Sequence, residues 1–107
     1  GVMGYEGHLL KLADPEAKRR EIVEAISILE HARDTFVKRG LCCDIVSAGG
    51  TGSLHITSQC PAVTELQAGG GVFGDPLYID AMGLEGCAPA VTILTTVTSR
   101  PALNRAI

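Results

Sequence analysis

Two short apolar runs, each halted by a cluster of glycines, constrain this chain more than any other feature. Cys42-Cys43-Asp44-Ile45-Val46-Ser47 leads into Ala48-Gly49-Gly50-Thr51-Gly52-Ser53. Val63-Thr64-Glu65-Leu66-Gln67 leads into Ala68-Gly69-Gly70-Gly71-Val72-Phe73-Gly74-Asp75. A short apolar run ending in glycines reads as a buried strand that stops where backbone must approach something closely. Glycine lacks a Cβ, so consecutive glycines let several N–H groups converge, and convergent amides bind anions, phosphate above all. Two such ends side by side predict an anion clamp.

The flanking pattern places these ends in an α/β arrangement. Residues 1–12 read as a short strand and its exit, with Gly4 and Gly7 bracketing Tyr5 and Glu6. Residues 15–39 predict an amphipathic helix. Asp14 suits the N-cap, Pro15 the first helical position, and Glu16 the positive end of the helix dipole. Ile22, Ala25, Ile26, Leu29, Ala32, Phe36 and Val37 recur on one face, and Gly40 follows as a stop. A strand is predicted over Leu41–Ser47, a short helix within residues 51–59, a break at Pro61, and a second strand over Val63–Gln67. Helix, strand, short helix, strand is the rhythm of parallel α/β units. Val91-Thr92-Ile93-Leu94-Thr95-Thr96-Val97-Thr98 is β-branched and partly alternating, which predicts a long, half-solvated strand. A change of sheet, the start of a second domain, falls in the loop at residues 83–89.

Three phosphate motifs compete at the glycines. Gly69-x-Gly71-x-x-Gly74 satisfies the dinucleotide fingerprint by letter, but that site needs a helix to open directly, and Asp75-Pro76 follows instead. A P-loop needs a lysine before its hydroxyl residue, and Ala48–Ser53 has none. The third reading is a pair of late strands of a (β/α) barrel that hold one phosphate in their loops. Thr51 and Ser53 among the donors favour it over turns that are merely tight.

Composition closes off other classes. The 107 residues suggest one domain or part of one. A net charge of -3, with no basic cluster beyond Lys18-Arg19-Arg20, argues against nucleic acid as partner. No apolar run approaches the roughly 20 residues that span a bilayer, so no membrane association is expected. Cys42, Cys43, Cys60 and Cys87 fit no zinc spacing; they are expected to be reduced, mostly buried thiols in a cytoplasmic protein. Both termini look cut rather than finished, so a piece of a longer chain is expected.

Three ordered motifs carry a family resemblance: Met3-Gly4-Tyr5-Glu6-Gly7-His8, Asp44 to Gly52, and Glu65 to Asp75. Together they resemble the D-threonine aldolase and D-serine dehydratase family, pyridoxal-phosphate enzymes of the alanine-racemase fold type. The resemblance implies the last strands of a (β/α)₈ barrel over residues 1–82, then the crossover and first strand of a β-rich domain over 83–107. It implies pyridoxal 5'-phosphate as cofactor. Gly50, Thr51 and Gly52 match the first phosphate loop, and Gly69 and Gly70 the second. Gln67 falls where the alanine racemases face the pyridine nitrogen, and Tyr5 matches a tyrosine near the cofactor ring. His8 is a weaker match.

The implied function is a lyase acting on small D-hydroxy amino acids, by retro-aldol cleavage or by elimination of water, and compatible with a homodimer. A carrier protein without strong catalysis and an amino-acid racemase share the barrel type and stand as alternatives. None of Lys11, Lys18 and Lys38 matches the lysine that carries the cofactor. The resemblance also implies a divalent metal (manganese, magnesium or zinc) held in the parent protein outside this chain, where the family's ligands lie; no substitute cluster is visible here. Residues 1–107 alone are therefore expected to show no turnover.

Overall fold

The computed structural model describes residues 1–107. Its longest element, α1 (Pro15–Lys38), forms where capping and periodicity put it. The Asp14 carboxylate accepts a hydrogen bond from the Glu16 N–H at 3.1 Å, satisfying one of the helix's orphan donors. Ile22 and Ile26 are buried on its inner face.

That face covers a three-stranded parallel sheet in the order β1 (Val2–Met3), β2 (Val46–Ala48), β3 (Glu65–Leu66). Val2 pairs with Val46, and Ala48 with Leu66. Ile22, Ile26 and Ala48 form the buried centre, with Leu9, Leu29, Ile56, Cys60 and Val63 packed around it. Ile22 is fully buried, which contributes roughly 1.5–3 kcal/mol. Between β2 and β3 a 3-10 turn (Thr51–Ser53) runs into the short helix α2 (Leu54–Thr57). The short helix predicted within residues 51–59 is thus present.

Three expectations need correction. β2 begins at Val46, not Leu41, because its position is set by pairing with Val2 and Met3 rather than by where apolarity starts. β3 is likewise shorter than Val63–Gln67; Thr64 lies outside the strand, and its hydroxyl oxygen accepts from the Val46 N–H at 2.9 Å. The run Val91–Thr98 forms no strand: residues 91–107 are all exposed, with Leu94 wholly so. β-branched residues suit a pleated surface, but a ladder also needs a partner edge, and none lies alongside. Past Ala90 the backbone hydrogen bonds join only residues between Thr98 and Ile107.

The thiols also differ from expectation. All four are free, but only Cys43 is buried, while Cys42 is exposed and Cys60 and Cys87 are half-buried. Burial raises the Cys60 thiol pKa. A hydrogen bond to the Asp44 carboxylate at 2.9 Å raises that of Cys42. No helix is long and apolar enough to cross a membrane.

Candidate functional site

The parallel register brings the ends of β2 and β3 to the same edge of the sheet, so the two glycine turns meet. A cavity of about 210 Å³ lies between them, lined by Tyr5, Gly49, Gly50, Thr51, Gln67, Gly69, Gly70 and Tyr78. The Thr51 hydroxyl oxygen accepts from the Gly71 N–H at 3.2 Å, which ties one turn to the other. The N–H groups of Thr51, Gly52, Gly69 and Gly70 donate to no protein acceptor. No lysine or arginine lines this cavity, so any attraction for an anion comes from amide and hydroxyl dipoles.

Two aromatic rings press on this backbone. A Cβ at Gly50 would come within 2.8 Å of the Tyr5 ring, and one at Gly70 within 2.7 Å of the Tyr78 ring. Close approach of the rings, rather than turn geometry, therefore requires glycine at both positions. The Tyr5 phenol pKa is raised, first by desolvation and then by Tyr78 and Glu6 nearby.

Gln67 is oriented by a chain of side chains. Ser47 Oγ donates to Glu65 Oε1 at 2.6 Å and so can only accept from Gln67 Nε2, at 2.8 Å. The Gln67 carbonyl oxygen and the second N–H of its amide are left free.

A larger cavity, about 450 Å³, lies behind the first turn, with Leu10, Lys11, Lys18, His55, Ile56 and Met82 among its lining residues. It shares Gly52 with the turn but neither Gly69 nor Gly70. Only the smaller cavity gathers amides from both turns, so it is the better candidate.

Two curated relatives match this chain. It is 31% identical over 106 residues to the 3-hydroxy-D-aspartate aldolase of Paracoccus denitrificans (strain Pd 1222), covering 92% of the chain and 27% of the relative. It is 29% identical over 109 residues to the D-threonine aldolase of Arthrobacter sp, covering all of the chain and 29% of the relative. Both relatives are D-threonine aldolase-like proteins, and this chain is similar to them. It spans under a third of the length of the relatives it matches. No family model matches the sequence.

Of the residues the aldolase-like motifs single out, Tyr5, Gly50, Thr51, Gln67, Gly69 and Gly70 line the one cavity. Gly52 does not line it; a Cβ there would meet the Met82 sulfur at 2.8 Å and Leu10 at 3.1 Å. His8 is exposed and lies outside it. No group of three or more His, Cys, Asp or Glu side chains comes together as a metal site would require.

Two residues were not anticipated. Tyr78 follows Asp75-Pro76 in a segment whose pattern signals no function, and only its ring against Gly70 reveals it. Glu6 is 2% exposed and accepts from Ser53 Oγ at 2.7 Å, from Thr57 Oγ1 at 2.6 Å and from the Gly49 N–H at 3.3 Å. Its three partners lie 43 to 51 positions away in the chain, so no local signal marks it.

Proposed function

We propose that this chain supplies the phosphate-binding end of the cofactor site of a pyridoxal-phosphate-dependent lyase for D-hydroxy amino acids. The carrying observation is the single cavity into which both glycine turns bring unpartnered amides. The donor set fits a phosphate group: amides of Thr51, Gly69 and Gly70, with the Thr51 and tyrosine hydroxyls beside them. The cavity falls below the roughly 300 Å³ at which small-molecule pockets begin, so it suits one end of a cofactor rather than a whole substrate complex. The names of both relatives, aldolases of D-3-hydroxy amino acids, support the lyase class.

When bound, pyridoxal phosphate supplies an electron sink for charge developing at the substrate's α-carbon. The residues of this chain hold and orient it. Thr51, Gly69 and Gly70 bind the phosphate through N–H groups. Tyr5 and Tyr78 flank the site with hydroxyls that can donate to a bound group. Gln67, one N–H of its amide held by Ser47, keeps an uncharged carbonyl oxygen for the ring end. That uncharged acceptor holds a ring proton more weakly than a carboxylate would. The barrel setting, a crossover toward a second domain over 83–107 and a divalent metal supplied by the parent protein belong to the same proposal.

The test is titration of the purified parent protein with pyridoxal 5'-phosphate and, separately, NAD, followed by D-threonine. Binding of pyridoxal phosphate and release of glycine and acetaldehyde are expected. Pyruvate from D-serine in place of cleavage would assign the dehydratase reaction instead. Binding of NAD alone would overturn the reading.

A further inference from the structure

Glu6 is a buried carboxylate with no cationic partner; no lysine or arginine pairs with it. A buried charge in that position is tolerated only if hydrogen-bond donors surround it, and here they come from three places. Ser53 and Thr57 donate hydroxyls to Oε1, and Gly49 donates its N–H to Oε2. Ser53 Oγ in turn accepts from the Gly50 N–H at 3.1 Å. The carboxylate therefore engages Gly49 directly and Gly50 through Ser53. The next two amides of the same turn, Thr51 and Gly52, donate to no protein acceptor.

We propose that Glu6 is a positioning residue for the anion-binding turn, fixing by this division which amides remain for phosphate. This rests on the phosphate reading above. The role is geometric, because a carboxylate beneath an anion site would by charge alone repel the anion. The effect is thus opposite in sign to that expected of an electrostatic contact: removing the charge weakens phosphate binding instead of strengthening it. Glu6→Gln shows why. A glutamine can accept both hydroxyls on its carbonyl oxygen, but its amide nitrogen then faces the Gly49 N–H, donor against donor.

The test compares dissociation constants for pyridoxal and pyridoxal 5'-phosphate, read by absorbance on the purified parent protein. Their ratio isolates the phosphate end from the ring end and from general stability. In the wild type, pyridoxal 5'-phosphate is expected to bind much the more tightly. Glu6→Gln should cut the ratio about tenfold, the scale of one hydrogen bond to a charged group, with pyridoxal affinity unchanged. Ser53→Ala, which cuts only the relay to Gly50, should cut it about threefold, and it carries the test if Glu6→Gln does not fold. Thr57→Val removes a donor outside the turn and should lower Tm while keeping the ratio. An unchanged or increased ratio in Glu6→Gln or Ser53→Ala overturns the proposal, as do equal losses in all three variants. A wild-type ratio near one overturns the phosphate reading itself, and this inference with it.

Discussion

The two glycine turns read alike as sequence and are built differently. In the first, Gly49, Gly50, Thr51 and Ser53 are all buried, and Glu6 and Ser53 bolt the backbone from beneath. In the second, Gly69 is exposed and Gly70 and Gly71 half-buried, and the hydrogen bond that reaches the first turn is the one from Gly71 N–H to Thr51 Oγ1. One turn is part of the core, and the other leans on it. Glycine clustering reports that backbone comes close to something; it does not report whether the backbone is held there.

The contrast can be broken by making the same change in both turns. Gly49→Ala should be the most damaging. Gly49 sits at φ +76°, and a Cβ there would meet Thr57 Cγ2 at 3.0 Å and Leu66 Cδ2 at 3.1 Å. A cost of about 1–3 kcal/mol in denaturant unfolding follows from the left-handed backbone alone. Gly69→Ala has nothing within 4 Å of the new methyl and should stay within about 0.5 kcal/mol. Equal costs at the two positions would erase the distinction between them.

Thr51→Val sharpens the comparison. It keeps the shape but leaves the Gly71 N–H unpaired, so pyridoxal 5'-phosphate affinity should fall about tenfold, or roughly 1.4 kcal/mol. The smallest effect is a titration. The Tyr5 phenol, followed by absorbance, should titrate above the ordinary tyrosine value because burial disfavours its charged form. Its pKa is raised on folding, so its stabilising contribution is present below the unfolded value and is lost as pH rises through the folded one. Tyr78→Phe should bring the midpoint down part of the way, leaving the desolvation share.

Local signals made α1 legible. A cap, a first-turn proline, a single apolar face and a terminal glycine all agreed, and the observed Pro15–Lys38 differs from residues 15–39 by one position. Three of the four predicted strands were legible in chain position but not in extent. Apolarity at Leu41–Ser47 cannot tell where the ladder to Val2–Met3 will form, since pairing sets it. The same limit explains Val91–Thr98, whose composition suits a strand that no neighbouring edge completes. In the candidate site, glycine clustering marked the two turns because that signal is local, although Gly52 stands outside the cavity. Glu6 escaped because its partners are distant in sequence, and Tyr78 because only contact with Gly70 marks it.

The hydroxyl of Thr51 has a further effect on the economics of recognition. Since it joins the pinned turn to the leaning one, whatever immobilises either should quiet the other, and the ordering entropy is lost once instead of twice. A guest that fits the rigid half would find the looser half already arriving with it.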